Sequence, residues 1–254
     1  MIKIHKSGFL YLIPLLLVLS ASCGRSNQPI PEPELIKFDT SDGVTIYGDY
    51  YKQVKPSPLL ILLHMYGRNR TTWAKAIPDW YNRGFAVVAI DMRGHGNSLI
   101  QNGQPIRFDQ QGNAELFKQA WKDVEAAVNF LEQDKNVVTS RTVLAGASIG
   151  CTVALIAGSK LDYVRSAVLM SPGEKYLGID SCADIRNFAG KPLFMVSDQK
   201  EAPACETLIE AGGYSSDNHV VFPDAGHGTM MFDSASSDMV IRKIGLWLER
   251  ESLK

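Results

Sequence analysis

The chain alternates between short apolar runs and longer segments in which apolar residues recur three and four positions apart. The short runs are typical of strands buried on both faces of a parallel sheet, and the longer spacing is typical of helices. Their alternation predicts βαβ units and a mainly parallel sheet with helices on both sides. The predicted strands are residues 59–63, 85–90, 143–145, 167–170, 192–196 and 219–222. The clearest helical stripes are Phe117, Trp121, Val124, Val128 and Leu131, and then Val240, Ile244 and Trp247.

Two segments ahead of these runs predict an antiparallel hairpin. Residues 35–39 and 44–51 are rich in strand-forming residues, and the polar turn Ser41-Asp-Gly43 separates them. The hairpin and the six runs together predict an α/β domain with an eight-stranded sheet. No stretch rich in proline or glycine divides residues 34–254, so they are predicted to form one domain with a full core.

The first 33 residues differ from this domain. Lys3 and Lys6 precede an apolar run that is too short to span a bilayer, and small residues then lead to Cys23. This order resembles a bacterial lipoprotein signal peptide, in which the cysteine is lipidated and becomes the first mature residue. It predicts a signal peptide at 1–22, a polar tether at 23–33 and a lipid-anchored protein of the bacterial envelope. The alternative is an ordinary signal peptide cut nearby, which would give a soluble periplasmic or secreted protein.

Charge and metal-ligand spacing exclude several classes of partner. The 26 basic and 27 acidic residues give a formal net charge of −1, which argues against a nucleic-acid partner. The five histidines and four cysteines do not cluster at metal-binding spacing, so we expect neither a metal nor another cofactor. No pattern in the sequence indicates an oligomeric state.

The most informative stretch is Gly146-Ala-Ser148-Ile-Gly150, which lies between a predicted strand and an apolar helix. A serine on a tight strand-to-helix turn adopts a strained backbone conformation and presents its hydroxyl at the sheet edge. Side chains two residues before or after it would collide with neighbouring elements, so both positions favour glycine. The alternative is a glycine-rich turn that happens to contain a serine.

Further motifs follow other predicted strands and support the first interpretation. Together the motifs resemble the α/β-hydrolase family over nearly the whole predicted domain. They are His64-Met-Tyr-Gly67, Asp91-Met-Arg-Gly-His-Gly-Asn-Ser98, the serine turn and Asp224-Ala-Gly-His227-Gly228. Many relatives insert a helical cap after the sixth strand, but here only residues 171–191 separate it from the next. The chain therefore resembles the capless members, such as dienelactone-hydrolase-like enzymes.

The resemblance implies a role for four residues in acyl transfer. Ser148 would be the nucleophile, and His227 would be the base that accepts its proton. The backbone N–H groups of Ile149 and Tyr66 would form the oxyanion hole. Met65 stands where the family usually has glycine, so this chain departs from the pattern beside the second donor.

The acid that would orient His227 is ambiguous in the sequence. Counting along the loop after the strand 192–196 favours Glu201, with Asp198 as the alternative, and Glu174 is a more distant candidate. Cys182 and Cys205 could form a disulfide in an oxidising compartment or remain free thiols.

The predicted activity is hydrolysis of small or soluble carboxylic esters by a serine carboxylesterase. A peptidase-like or lipase-like hydrolase is the first alternative. A second alternative is a membrane-tethered binding protein that keeps the fold without the chemistry, because a fold alone does not fix a function.

Overall fold

A mixed β-sheet runs through the protein, and the computed structural model describes it for residues 29–107 and 114–252. The signal-peptide prediction and Cys23 lie outside these residues, as does the first part of the predicted tether. Ten strands belong to the sheet in the described chain. They are β1 (Glu34–Asp39), β2 (Val44–Tyr51), β3 (Ser57–Leu63), β4 (Ala86–Asp91), β5 (Ile100–Gln101), β6 (Gln104–Pro105), β7 (Val137–Ala147), β8 (Val164–Met170), β9 (Leu193–Ser197) and β10 (His219–Val221).

The strand order is β10-β9-β8-β7-β3-β4-β2-β5-β6, and β1 pairs with β2. The six strands from β10 to β4 are parallel, and β2 pairs antiparallel with both β4 and β1. The α/β-hydrolase fold predicted from the sequence is therefore present. The sheet exceeds the predicted eight strands by β5 and β6, two-residue strands too short to leave an apolar run. The Asn102-Gly103 pair between β5 and β6 has positive φ at both residues. An Asn-Gly pair is a hairpin signal in a sequence, so it could have predicted these two strands.

Seven α-helices accompany the sheet in the described residues. They are α1 (Ile77–Asn82), α2 (Ala114–Lys118), α3 (Trp121–Leu131), α4 (Ile149–Lys160), α5 (Ser181–Phe188), α6 (Ala202–Gly212) and α7 (Ser237–Ser252). The apolar stripe that runs from Phe117 to Leu131 belongs to two helices, because residues 119–120 form a turn between α2 and α3. No helix in 29–107 or 114–252 is long and apolar enough to cross a membrane.

The core has two layers, one on each face of the sheet. Leu59, Ile61 and Leu63 of β3 belong to the layer that includes residues of α3, α4, α5 and α6. Leu60 and Leu62 belong to the opposite layer, with residues of α1 and α7. Because side chains alternate along a strand, burial on both faces requires an unbroken apolar run, which explains the sequence of β3.

Helix α4 occupies the most buried position of any helix near the predicted site. Ten of its twelve residues are buried, which explains why it is apolar on every side instead of amphipathic. It begins immediately after Ser148, so the rigid centre of the domain carries the predicted nucleophile.

Cys182 and Cys205, which the sequence allows to be either paired or free, are free thiols in the structure. Cys205 is buried in α6, and Cys182 is partly exposed in α5. The pairing considered from the sequence is therefore absent from the structure.

Candidate active site

Ser148 occupies a one-residue turn between β7 and α4. Its φ of 52° and ψ of −120° lie outside the regions that residues other than glycine ordinarily adopt. Two backbone hydrogen bonds hold the turn: the Ser148 N–H donates to the Met170 carbonyl, and the Cys151 N–H donates to the Ser148 carbonyl, each at 2.9 Å. The neighbouring strand and helix therefore impose the strain, as the sequence pattern predicts for a nucleophile on a tight turn.

The two flanking glycines have a direct steric explanation. A Cβ on Gly146 would lie 2.3 Å from the Gly150 carbonyl oxygen, and a Cβ on Gly150 would lie 2.3 Å from the Leu63 carbonyl oxygen. Both obstacles are backbone atoms, which cannot move aside as a flexible side chain would. The spacing of the motif therefore reflects contact between the end of β3, the turn and the start of α4.

We expect Gly150→Ala to lower both stability and hydrolytic activity, because it would push α4 away from the end of β3. Overpacking of this kind typically costs about 1–3 kcal/mol of unfolding free energy. Gly190→Ala is the control: this glycine has a φ of 87° but nothing within 4 Å of its added Cβ, so only backbone strain is introduced. Thermal unfolding and kcat would be measured for both, and an equally active Gly150→Ala would contradict the steric explanation.

His227 and Glu201 meet although 26 positions separate them in the chain. Glu201 precedes α6, His227 lies in the loop after β10, and the Nδ1 atom of His227 contacts Oε1 of Glu201. Burial raises the pKa of Glu201, but the hydrogen bond with His227 and smaller contributions from Ser171 and the Asp198 backbone outweigh it, so that the pKa is lowered. Because Oε2 of Glu201 is buried without a hydrogen bond of normal geometry, we attribute most of the lowering to His227. The ionised carboxylate is therefore the favoured form beside the imidazole.

Asp198 and Glu174 have other surroundings. Asp198 accepts from the Lys200 N–H at 3.0 Å through Oδ1 and from the Gly226 N–H at 3.1 Å through Oδ2. These backbone donors lower the pKa of Asp198 and tie its loop to the loop that carries His227. Glu174 is exposed on the segment after β8. Of the three candidate acids, the described contacts bring only Glu201 to His227.

Ser171, which sequence reasoning missed, joins the same region from the end of β8. It is fully buried with a φ of 52°, and its Oγ accepts a 2.7 Å hydrogen bond from the Gly228 N–H. Its side chain also contributes to the low pKa of Glu201. Ser171 thus holds the backbone directly after His227. No local pattern distinguishes such a serine, since its partners are far away in sequence.

The predicted oxyanion donors lie at two element ends near Ser148. Ile149 is the first residue of α4, and Tyr66 follows the end of β3 by three residues. In residues 29–107 and 114–252, no hydrogen-bond acceptor is found for either backbone N–H. Two unpaired N–H groups are what an oxyanion requires.

His64 fixes the peptide that carries the Tyr66 N–H. Its Nε2 accepts from the Met92 N–H at 3.0 Å, and its Nδ1 lies 2.7 Å from the Met65 carbonyl oxygen. Accepting at Nε2 places the proton on Nδ1, so the neutral ring donates to that carbonyl. Burial lowers the pKa of His64 to about 4, which is consistent with a neutral ring.

Met65 fills the place in which the resemblance leads one to expect glycine. Its side chain is buried, and a Cβ on Gly228 would lie 2.4 Å from the Met65 Sδ. Met65 therefore packs directly against the backbone after His227. This contact adds a side-chain link between the predicted oxyanion loop and the histidine loop.

Tyr176 is a second residue that sequence reasoning missed. It lies in the segment between β8 and α5, and its ring meets that of His227 edge to face with centroids 6.2 Å apart. Its hydroxyl donates to the Ser171 carbonyl at 2.9 Å, and Ser148 is among the groups that affect the pKa of that hydroxyl. Among the described contacts Ser148 has no hydrogen bond to His227, a bond that in free enzymes often forms only when substrate binds.

An open cleft of about 260 Å³ adjoins the site. Met65, Thr72 and Thr229 are among the residues that line it, together with the charged side chains of Arg68, Lys75 and Asp233. Its volume is below the range of about 300–1,000 Å³ that is usual for sites binding drug-sized ligands. No group of three or more His, Cys, Asp or Glu side chains in the described chain is arranged to hold a metal ion.

Comparison with known families agrees with this geometry. A family model described as "Serine aminopeptidase, S33" matches residues 54–189, which is more than half of the chain. The chain belongs to this family of hydrolases. The matched region includes Ser148 and the loop of Tyr66, while Glu201 and His227 lie beyond it.

Individual relatives of the hydrolase are distant. A polyketide transferase of Stachybotrys chlorohalonatus is 27% identical over 137 residues, which cover 54% of this chain and 43% of the relative. Protein phosphatase methylesterase 1 of Mus musculus is 21% identical over 217 residues, which cover 76% and 55%. The hydrolase thus spans about half the length of the curated relatives it matches.

Solved structures share the fold of the hydrolase. An esterase of Pyrococcus furiosus has a TM-score of 0.67 at 19% identity, with 87% of this chain and 93% of that chain covered. The esterase domain of a Rhodothermus marinus protein has a TM-score of 0.62 at 16% identity, with 85% and 98% covered. At these identities the likeness concerns the fold.

Proposed function

We propose that the hydrolase is a serine carboxylesterase that works through an acyl-enzyme. The observation that carries the proposal is the contact between His227 Nδ1 and Glu201 Oε1 in the loops facing the strained Ser148 turn. Membership of a serine hydrolase family, a methylesterase among the relatives and esterases among the structural neighbours support the same chemistry.

In the proposed acylation step, Ser148 Oγ attacks the ester carbonyl while His227 Nε2 takes its proton. Glu201 holds the imidazole in the tautomer with its proton on Nδ1 and stabilises the imidazolium that forms. The N–H groups of Tyr66 and Ile149 would donate to the oxyanion of the tetrahedral intermediate. His227 then gives the proton to the departing alcohol, and water attacks the acyl-enzyme by the same route in reverse.

The substrate we propose is a small or soluble ester. Residues 171–192 between β8 and β9 contain one short α-helix, α5, so this described segment forms no cap over the site.

Labelling with a fluorophosphonate probe tests the nucleophile without knowledge of the natural substrate. The wild type should be modified at Ser148, and the modification should stop in Ser148→Ala. Peptide mapping of the labelled site is the measurement. A folded wild type that is not labelled would favour the non-catalytic binding protein.

A peptidase is the second candidate, because the matching family is described as a serine aminopeptidase. The same residues would serve, and a lipase-like relative would also use them. A pair of substrates with one acyl group, a p-nitrophenyl ester and a p-nitroanilide, separates ester from amide hydrolysis. A peptidase would hydrolyse both substrates, the activated ester faster, whereas the esterase proposal predicts turnover of the ester with no detectable release of p-nitroaniline.

We further propose that the hydrolase is exported and anchored to the bacterial envelope through lipid on Cys23. The support is the sequence of residues 1–23 alone. Two or more acyl chains give stable anchoring, whereas one is marginal. Cys23→Ser should move the protein out of the detergent phase or leave its signal uncleaved. Phase partitioning and N-terminal mass analysis would check this, and a soluble wild type that begins elsewhere would contradict it.

A further inference from the structure

Tyr176 is held in place by contacts within its own segment, the connection between β8 and α5. The phenol hydroxyl donates to the Ser171 carbonyl at 2.9 Å, five residues back in the chain. A Cβ on Gly173 would lie 2.6–2.9 Å from ring atoms of Tyr176, so the ring lies directly on that glycine. Leu177, the next residue, has a φ of 52°, a backbone conformation that is uncommon for leucine. The segment thus adopts a costly conformation in which the hydroxyl end of the ring is held by Ser171 and packs on Gly173.

The anchored ring faces the proposed reaction centre. It contacts His227 edge to face, with ring centroids 6.2 Å apart, and Ser148 is among the groups that affect the pKa of its hydroxyl. Burial is the largest reason that the pKa of this phenol is raised, so the hydroxyl stays protonated and keeps its bond to Ser171 at neutral pH. Tyr176 is therefore a fixed wall rather than a mobile side chain.

The position of the Tyr176 ring determines whether it contacts the alcohol part or the acyl part of a bound ester. In acylation the imidazole that took the proton of the serine gives it to the departing alcohol, so the alcohol part lies beside the histidine. The Tyr176 ring occupies space beside His227. A bulky alcohol would therefore meet the ring, whereas the acyl part does not lie beside the histidine and would not meet it.

We propose that Tyr176 is a specificity-determining residue that restricts the alcohol part of the ester to small groups. The inference rests on the proposed esterase function and adds to it the class of substrate: esters of small alcohols. It also explains how the site can discriminate although the described β8–β9 segment forms no cap, because one aromatic ring from that segment limits the space on the alcohol side.

Two ester series test the proposal. One keeps the acetyl group and enlarges the alcohol from methyl to butyl, and the other keeps the methyl alcohol and enlarges the acyl group by the same atoms. Acid release gives kcat/KM for each ester. In the wild type, kcat/KM should fall as the alcohol grows. Tyr176→Ala should raise the butyl-to-methyl ratio of the alcohol series at least about tenfold, since even one methylene in a hydrophobic pocket is worth about 10–200-fold. The acyl-series ratio should stay within about threefold.

Three further variants make the result specific. Tyr176→Phe keeps the ring, so its alcohol-series ratio should match the wild type even if the rate falls at every length. Tyr176→Leu replaces the alanine variant if thermal unfolding shows that Tyr176→Ala is not folded. Tyr214→Phe is the matched control, because this half-buried tyrosine donates to the Phe188 and Lys191 carbonyls and has no described contact with Ser148 or His227. Both of its ratios should remain those of the wild type.

The outcomes separate this inference from the proposed function. Hydrolysis that depends on Ser148, with an unchanged alcohol-series ratio in Tyr176→Ala, would overturn the role of Tyr176 and leave the esterase intact. Relaxation of the acyl series instead would also overturn it, because the wall would then lie on the other side. If the folded wild type neither hydrolyses these esters nor reacts with the fluorophosphonate, the proposed function and this inference fall together.

Discussion

Ser148→Ala should reduce kcat by a factor on the order of 10⁶. The nucleophile and its base work as a unit, so the histidine contributes almost nothing once the serine hydroxyl is gone. The fold should be nearly unaffected. The backbone N–H and carbonyl of residue 148 make the hydrogen bonds that hold the turn, and alanine retains both. The alanine would inherit the positive φ that Ser148 already has, so it introduces no new strain.

Ser159→Ala is a suitable control for this change. Ser159 lies near the end of the same helix, α4, and its hydroxyl donates to the Ile156 carbonyl at 2.8 Å. Removing that hydroxyl shows how much the loss of a serine side-chain hydrogen bond in α4 affects stability and kcat when the active site is unchanged. Kinetics on a p-nitrophenyl ester and thermal unfolding would be measured for both variants. A Ser148→Ala protein that kept most of the wild-type rate would show that another residue is the nucleophile.

The sequence could predict the parts of this protein that depend on local chemistry. Backbone contacts at the turn itself require glycine at positions 146 and 150, so the pattern around Ser148 predicts the tight strand-to-helix turn. Unbroken apolar runs predict strands buried on both faces, and β3 shows why. Counting residues after β9 favours Glu201 over Asp198, and the contact with His227 supports the same choice, although its role in turnover stays a prediction.

Contacts between distant residues could not be predicted in this way. Tyr176 and Ser171 reach the site because the ends of β8 and β10 lie at one edge of the sheet, and neither stands in a recognisable motif. The role of Asp198 in joining two loops depends on its distance from the Gly226 N–H, which only the fold determines. A loop carboxylate has the same sequence signature whether it caps a backbone or orients a histidine.

Glu201→Gln should lower kcat by a factor of about 10³–10⁴ with little change in KM, a loss comparable to that of an aspartate-to-asparagine change in a serine protease triad. The amide keeps the size of the side chain but loses the charge that stabilises the imidazolium. It can also present an N–H to Nδ1 and so favour the tautomer with the proton on Nε2, which cannot accept a proton from Ser148. Both effects act on the transition state and not on binding of the ester.

Asp198→Asn is the matched control for this prediction. It makes the same chemical change three residues away, at a carboxylate whose two oxygens accept from the Lys200 and Gly226 N–H groups. Because Asn keeps one acceptor oxygen, we expect a modest loss of stability and a fall in kcat of less than about tenfold, since losing one hydrogen bond costs on the order of 1 kcal/mol. The pKa of Asp198 is lowered in the folded protein, so its contribution to stability is present above its unfolded pKa and is lost as the pH falls through the folded value.

Comparing kcat, KM and thermal unfolding for the two variants decides which carboxylate orients the base. A nearly active Glu201→Gln beside an inactive but folded Asp198→Asn would transfer the role to Asp198, and the Glu201 contact would then be structural. Two active variants would leave only Glu174, which is exposed and has no described contact with His227, or no acid at all. The expected result, inactive Glu201→Gln beside active Asp198→Asn, would give the His227–Glu201 contact its role: it sets the tautomer that accepts the proton of Ser148.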